Sequence, residues 1–148
     1  MTTTTVAQIL SAKPNKGIFS IAPDASVFDA VRQMEQRNVG ALVVTDGDTV
    51  VGIVSERDYA RKVVLLDRAS RETAVHEIMS SPVMYVRLTQ TVDECMALMT
   101  DRRLRHLPVM QDGKLLGVVS IGDLVKQVIA DQRFIIEQLE HFISGQPA

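Results

Sequence analysis

The residues best suited to chemistry form a short motif that the chain uses twice. Gly-h-h-Ser-x-x-Asp, where h is hydrophobic, occupies residues 52–58 and again residues 117–123. Where such a serine begins a helix, the hydroxyl and the free amides of the first turn bind phosphate, and the nearby carboxylate can accept two hydrogen bonds from ribose hydroxyls. The same spacing is also a common capping box, which needs no ligand. A single copy would favour the capping interpretation, but the motif occurs twice and the same geometry also serves a nucleotide.

The motif is part of a longer internal repeat. Residues 26–58 align without a gap onto residues 91–123 at an offset of 65, with nine identical pairs. Upstream, residues 6–11 match residues 75–80 at an offset of 69, so the first copy carries four extra residues, which include Lys13. Repeats of this length and number do not build a solenoid. They predict a body with a pseudo-two-fold axis and clefts where the two halves meet.

Each copy has the pattern β-α-β-β-α. Apolar residues at positions i, i+3, i+4 and i+7 predict helices over 26–37 and 91–102, each with a hydroxyl at the N-cap and a carboxylate three residues later. Short runs of β-forming residues on either side of turns predict hairpins. The expected strands are 18–21, 41–44 and 50–54 in the first copy, and 83–86, 107–110 and 115–119 in the second.

The last helix begins at Ser55 in the first copy and at Ser120 in the second. The second of these continues to about Ile143, followed by Ser144 and Gly145 as a stop signal. Its apolar residues alternate steps of four and three, interrupted at Gln132, which is the spacing of a coiled coil. Packing on its own body and dimerisation explain this spacing equally well. The fold class is therefore α/β (α+β), with domains at 6–68 and 72–126 and a C-terminal helix and tail at 127–148.

Composition and charge exclude several classes of protein. The formal net charge of −2 provides no long-range attraction to nucleic acid or to an anionic membrane. The single cysteine, Cys95, rules out an intrachain disulfide and fits a small buried core residue. No apolar run approaches the ~20 residues of a membrane span, and the N-terminus lacks the features of a signal peptide. We therefore expect a cytoplasmic protein.

Catalysis is not expected. The three histidines, His76, His106 and His141, are scattered and form no spaced pair suited to a metal. Neither a Walker loop nor Gly-x-Gly-x-x-Gly is present. We therefore predict neither a metal nor a catalytic cofactor. Nucleic-acid binding is disfavoured by the charge and by the scarcity of aromatic residues for stacking.

The repeated motif on this pattern resembles tandem cystathionine-β-synthase (CBS) domains, which together form a Bateman module. Arg-His-Leu-Pro-Val at residues 105–109 matches a strand frequent in that family, and residues 55–62 resemble its small stand-alone bacterial members. The similarity extends from Val6 to about Lys126. It implies two CBS repeats, with adenine nucleotides in the clefts between them, an aspartate on the ribose and a serine near the phosphate.

Carried over residue by residue, the resemblance implies two ligand sites, each built from both repeats. The first pairs Ser55, Arg57 and Asp58 with Met84, Tyr85, Arg105 and His106. The second pairs Ser120, Gly122 and Asp123 with Lys16, Gly17, Ile18, Gly40 and Ala41. Because Gly122 stands where the first copy has Arg57, the second motif brings no cation of its own. A phosphorylated ligand is therefore expected to prefer the site of Asp58.

The resemblance also implies a function and partners. It indicates an energy or redox sensor that binds an adenine nucleotide, with AMP placed before ATP, ADP and NAD(H); S-adenosylmethionine shares the same contacts. Homodimerisation and signalling to an unnamed downstream protein are expected, since the chain carries no output domain. The alternatives are a ligand-free dimerisation module and a nucleic-acid-binding CBS protein.

Overall fold

The computed structural model describes residues 4–13 and 19–145, and within them it is a mixed α/β protein with a long last helix. Among the described residues no helix is both long and apolar enough to cross a bilayer. The elements are, in chain order, α1 (Val6–Ala12), β1 (Ser20–Ile21), α2 (Val27–Arg37), β2 (Ala41–Asp46), β3 (Thr49–Ser55), α3 (Glu56–Tyr59), the π turn (Ala60–Val64), the 3-10 helix (Val75–Glu77), α4 (Val92–Arg102), β4 (His106–Gln111), β5 (Lys114–Ser120) and α5 (Ile121–Ser144).

The predicted helices and hairpins are confirmed. The helices α2 and α4 begin one residue after their predicted N-caps, whose hydroxyls accept hydrogen bonds from the amides three residues on. The helix α5 ends at Ser144, and Gly145 caps it in the left-handed conformation. Two strands are shorter than expected. The strand expected at 18–21 consists of Ser20 and Ile21, with Ile18 outside the described residues, and the one expected at 83–86 is reduced to a single bridge between Val86 and Val109.

The described residues divide into two compact units that do not follow the order of the repeats. The α3 unit contains residues 19–85 and 112–116, and the α5 unit contains residues 4–13, 86–111 and 117–145. The helix α1, which opens the first repeat in the chain, therefore belongs to the unit that holds most of the second. The pattern β-α-β-β-α did not include this helix, although Thr5 and Gln8 form a complete capping box at its start.

The α3 unit is built around a three-stranded sheet. β1 runs parallel to β2, and β2 runs antiparallel to β3. The apolar face of α2 and the segment around the 3-10 helix cover this sheet. The core cluster comprises Ile21, Val27, Ala30, Met34, Leu42, Val44, Val54, Val63, Val75 and Ile78.

The α5 unit buries the equivalent residues of the second copy. Cys95 takes the place of Ala30 and is fully buried, as the sequence predicts. The helix α1 contributes Val6 and Ile9, the counterparts of Val75 and Ile78 in the α3 unit. The buried residues of this unit are Val6, Ile9, Val86, Val92, Cys95, Met99, Leu107, Val109, Val119 and Leu124. Nine of these ten positions correspond to those of the α3 unit; the exceptions are Leu124 here and Val63 there.

The glycine of the motif is required by packing. A Cβ atom built on Gly52 would lie 2.5 Å from the sulfur of Met79 and 3.0 Å from the carbonyl oxygen of Ser80, which is backbone and cannot give way as a side chain can. At Gly117 the nearest atom would be a methyl carbon of Leu10, at 3.1 Å. In each unit the glycine therefore lets another segment lie directly against the second strand of the hairpin. This segment contains Met79 and Ser80 in the α3 unit and Leu10 in the α5 unit.

We predict that Gly52→Ala destabilises the protein by about 2 kcal/mol, within the range for an overpacked site. Gly117→Ala is the matched control and should cost less, because the tip of the Leu10 side chain can move. Urea denaturation of both variants measures the difference. An equal or smaller loss at Gly52 would contradict this account of the motif glycine.

Candidate functional site

In the α3 unit, Ser55 and Asp58 hold each other in a reciprocal capping box. The Ser55 hydroxyl oxygen accepts a hydrogen bond from the amide of Asp58 at 3.2 Å. The Oδ2 atom of Asp58 accepts from the amide of Ser55 at 2.9 Å and from its hydroxyl at 3.0 Å. The Asp58 side chain is 14% exposed. The capping box marks the point where β3 ends and α3 begins, and it holds a largely buried carboxylate at this junction.

A lysine one turn further along neutralises this carboxylate. The Nζ atom of Lys62 lies 3.2 Å from the Oδ1 atom of Asp58 and also donates a hydrogen bond to the carbonyl oxygen of Ile78 at 2.9 Å. Spacing of i and i+4 on a helix places such a pair on one face. Lys62 is therefore anchored at two points, although its side chain is 43% exposed.

The α5 unit repeats the capping box with Ser120 and Asp123. The Ser120 hydroxyl oxygen accepts from the amide of Asp123 at 3.2 Å, and the Oδ2 atom of Asp123 accepts from the amide of Ser120 at 2.9 Å. The Asp123 side chain is 19% exposed. The structure therefore places each motif aspartate in a reciprocal capping box at the start of a helix.

The cation beside Asp123 comes from the other end of the chain. The Nζ atom of Lys13, the C-cap residue of α1, lies 2.9 Å from the Oδ2 atom of Asp123 and donates to the carbonyl oxygen of Val118 at 2.9 Å. Position 127, the counterpart of Lys62 in the second copy, is a glutamine. Each unit thus supplies a lysine to its buried carboxylate, but from a different element, as expected where a poorly solvated charge needs a partner.

The pKa values in the α5 unit reflect this arrangement. Burial opposes the charge of Asp123, but the amide of Ser120 and the ammonium group of Lys13 outweigh it and hold the pKa of Asp123 below its ordinary value. Burial lowers the pKa of His106, and the positive charges of Lys13 and Arg105 lower it further against the opposing effect of Asp123. His106 is therefore neutral at pH 7, and the cations of this group are Lys13 and Arg105.

Backbone hydrogen bonds bring the first residue of each final helix to the loop before the hairpin. The amide of Glu56 donates to the carbonyl oxygen of Gly40 at 3.1 Å, and the amide of Ile121 donates to that of Arg105 at 2.8 Å. Gly40 and Arg105 occupy the same position in the two copies. Hence Gly40 lies at the start of α3, and Arg105 lies at the start of α5.

Comparison with known proteins identifies the family. The CBS domain matches residues 6–65 and again residues 75–130. The chain belongs to the CBS-domain family. Among the described residues of this CBS protein, no group of three His, Cys, Asp or Glu side chains is placed to hold a metal ion.

Several relatives share this tandem arrangement. A mitochondrial CBS domain-containing protein of Arabidopsis thaliana is 38% identical over 150 residues, which cover 96% of this chain and 73% of that protein. The structure of a CBS-domain protein from Burkholderia ambifaria MC40-6, described as a candidate signal-transduction protein, has 58% identity and a TM-score of 0.84, covering 87% and 96% of the two chains. A hexameric CBS-CP12 protein from bloom-forming cyanobacteria has 28% identity and a TM-score of 0.74, covering 84% and 71%.

The residues predicted for the first CBS site fall in both units. Met84 and Tyr85 belong to the α3 unit together with the motif of Asp58, and the ring of Tyr85 is half exposed. Arg105 and His106 belong to the α5 unit, where they lie in the electrostatic environment of Asp123. The predicted pairing of Arg105 and His106 with Asp58 joins residues of different units, and it stays a prediction.

The residues predicted for the second CBS site are also divided. Ser120, Gly122 and Asp123 form the start of α5, whereas Gly40 and Ala41 belong to the α3 unit. Lys16, Gly17 and Ile18 lie outside the described residues. The pairing predicted for this site therefore also stays a prediction.

Neither of the two lysines at the aspartates is among the site residues that the resemblance implies. For Lys62 the sequence leaves two interpretations open, a contribution to a basic cleft and a solvated basic surface, although its position four residues after Asp58 within a helix favours the contact. Lys13 carried no local signal, because 110 residues separate it from Asp123. Only the fold brings these two side chains together.

The pKa of Asp123 gives a testable pH dependence. Because its pKa is lower in the folded chain than in the unfolded chain, the carboxylate stabilises the fold above about pH 4 and loses this effect as the pH falls through the folded pKa. We expect Asp123→Asn to be less stable than the wild type at pH 7 by about 1 kcal/mol. The difference should shrink below pH 4, as measured by urea denaturation between pH 3 and pH 7. A difference independent of pH would contradict the assignment.

Proposed function

We propose that this CBS protein is a regulatory module that binds an adenine nucleotide, AMP before ATP, ADP or NAD(H). The observation that supports the proposal is the repeated Ser-Asp box, which fixes a largely buried carboxylate at the start of the final helix of each repeat, with a lysine ammonium group in contact. A ribose presents two hydroxyl donors to such a carboxylate. The cations nearby suit the phosphate of the same ligand.

The arrangement of charge favours a phosphorylated ligand over an uncharged nucleoside. In the α5 unit Lys13 and Arg105 provide two positive charges, which exceed the single negative charge of Asp123. In the α3 unit Lys62 balances Asp58, and Arg57 follows the cap residue in the first turn of α3. Arginine and lysine so placed attract phosphate and steer it toward the carboxylate that receives the ribose.

A regulatory role fits the CBS family better than a catalytic one. Burial raises the pKa of the Cys95 thiol to about 11, and the charge of Glu94 acts in the same direction, so the thiolate needed for nucleophilic attack does not form at neutral pH. We propose that ligand binding changes the relative orientation of the two repeats. The partner that receives the signal must then prefer one orientation over the other.

We also propose that the protein self-associates through the outer part of α5. Six large apolar side chains there are more than half exposed, up to 85% for Phe142, and no described part of the chain covers them. An amphipathic helix with so much exposed apolar surface is typical of an interaction surface. The six residues are Phe134, Ile135, Ile136, Leu139, Phe142 and Ile143. The hexameric CBS-CP12 relative provides a precedent for assembly within the fold.

Charge introduced into this surface should dissociate the assembly. We expect Ile135→Glu/Leu139→Glu to sediment as a monomer at concentrations where the wild type is a dimer, because an oligomer interface cannot bury two unpaired carboxylates. Arg133→Glu, on the opposite face of the same helix, changes the net charge by the same amount, so it is the control and should leave the dimer intact. Analytical ultracentrifugation measures all three proteins. A monomeric wild type, or a variant that remains dimeric, would exclude α5 as the interface.

Nucleotide binding is tested by thermal shift with AMP, ADP, ATP and NAD(H). A ligand at 100 times its Kd adds about 2.7 kcal/mol, which raises the Tm by several degrees in a protein of this size. The double variant Asp58→Ala/Asp123→Ala should lose the shift, because both ribose contacts are removed. Asp48→Ala/Asp101→Ala removes two exposed carboxylates and controls for the change in net charge.

Two outcomes would overturn the proposal. A wild type that shifts with none of the four ligands would favour a ligand-free module. A full shift that persists in Asp58→Ala/Asp123→Ala would show that the motif aspartates do not hold the ribose.

A further inference from the structure

The two motif carboxylates differ in which of their oxygen atoms are already engaged. At Asp58 the Oδ2 atom accepts from the amide and the hydroxyl of Ser55, and the Oδ1 atom faces Lys62 at 3.2 Å. At Asp123 the Oδ2 atom accepts from the amide of Ser120 and from Lys13. Among the described residues, the Oδ1 atom of Asp123 has no hydrogen-bond or ion-pair partner. Both oxygens are thus engaged at Asp58, and only one at Asp123.

This difference matters for a vicinal diol. A carboxylate oxygen accepts about two hydrogen bonds, and a ribose directs its two hydroxyls at the carboxylate. At Asp123 a hydroxyl can approach Oδ1 while Lys13 keeps its place on Oδ2. At Asp58 the diol meets an oxygen that already faces an ammonium group, and that group is also bound to the carbonyl oxygen of Ile78. A diol that binds Asp58 must therefore share the Oδ1 atom with Lys62 or displace its ammonium group.

The origin of each lysine reinforces the difference. Lys62 follows Asp58 on the same helical segment, so its ammonium group remains near Asp58 whether or not a ligand is present. Lys13 approaches Asp123 from α1 and is bound to the carbonyl oxygen of Val118, which the second strand of the hairpin contributes. Lys13 therefore neutralises Asp123 from the side of Oδ2 and leaves the other oxygen accessible.

We infer that Lys62 is a specificity-determining residue that weakens diol binding at Asp58, so that a ribose-bearing ligand occupies Asp123 first. This inference rests on the proposed nucleotide function. It reverses the order expected from sequence, where Arg57 favoured the site of Asp58 and Gly122 disfavoured the site of Asp123. In the α5 unit, Lys13 provides the positive charge that the second motif lacks. In the α3 unit, Lys62 competes with the ribose hydroxyls for the carboxylate of Asp58.

Site-resolved NMR titration of the full chain tests the order. The amides of Ser55 and Asp58 report on one site, and those of Ser120 and Asp123 on the other. AMP is the phosphorylated probe, and adenosine isolates the contribution of the diol. In the wild type the Ser120 and Asp123 amides should reach half of their total shift at a lower concentration of either probe than the Ser55 and Asp58 amides.

Replacement of Lys62 should then change ligand binding at the site of Asp58 alone. In Lys62→Met, which keeps an unbranched apolar stem, the Ser55 and Asp58 amides should respond to adenosine at a concentration about fivefold lower than in the wild type, the lower end of typical coupling between linked interactions. The Ser120 and Asp123 amides should be unchanged. Lys114→Met, at an exposed position on β5, is the matched control and should leave both sites unchanged.

The outcomes separate this inference from the proposed function. If neither pair of amides responds to AMP or to adenosine, the nucleotide function itself fails. The inference alone is overturned if Ser55 and Asp58 respond first in the wild type, or if Lys62→Met leaves adenosine binding at that site unchanged or weaker. A response to AMP without any response to adenosine would also overturn it, because affinity would then not depend on the diol. Thermal unfolding of Lys62→Met establishes that the variant is folded.

Discussion

The reciprocal hydrogen bonds between a serine and the aspartate three residues later determine much of this structure. They satisfy amides that an uncapped helix would leave without partners, and so they mark where the second strand of each hairpin becomes a helix. They also hold a carboxylate where little water reaches it. A carboxylate in that position requires a positive partner, and both units provide one. The local stability of the helix start and the electrostatics of the candidate site therefore have the same cause.

The comparison of the two copies shows how one structural requirement can be met in different ways. In the α3 unit the cation comes from the next turn of the same helical segment. In the α5 unit the equivalent position is Gln127, which instead donates a hydrogen bond to Asp131, and the cation is supplied by Lys13 at the end of α1. Residues that differ between the copies are therefore not independent of one another. Position 127 has no lysine, and Lys13 provides the positive charge at Asp123 instead.

Much of the fold could be predicted from sequence because its determinants are local. The period of the apolar residues and the hydroxyl at each N-cap are sufficient to define α2 and α4, and Gly145 defines the end of α5. The parts that sequence did not reveal depend on contacts between distant residues. The helix α1 has a capping box of its own, but its membership of the α5 unit depends on packing against residues more than 80 positions away.

The candidate site likewise combines features that the local sequence predicts with features that depend on contacts between distant residues. The motif itself identified Ser55, Asp58, Ser120 and Asp123, and the structure places each at the start of a helix. The state of each carboxylate was not accessible from the motif, since it depends on which oxygen atom a lysine reaches. The resemblance implies His106 as a site residue but does not indicate its charge. Its burial, which lowers its pKa and leaves it neutral at pH 7, follows only from the position of β4 in the α5 unit.

The placement of α1 has a consequence for the synthesis of the chain. The amide of Val6 is bound to the carbonyl oxygen of Gln90, and the buried Val6 and Ile9 belong to a unit completed only when the start of α5 has been made. At typical rates of translation the ribosome needs roughly ten seconds to add the intervening residues. Throughout that interval the apolar face of α1 has no native partner, whereas the segment around the 3-10 helix can pack as soon as it emerges. The helix α1 is thus synthesised well before the unit to which it belongs is complete, and its short length limits the apolar surface that the nascent chain exposes meanwhile.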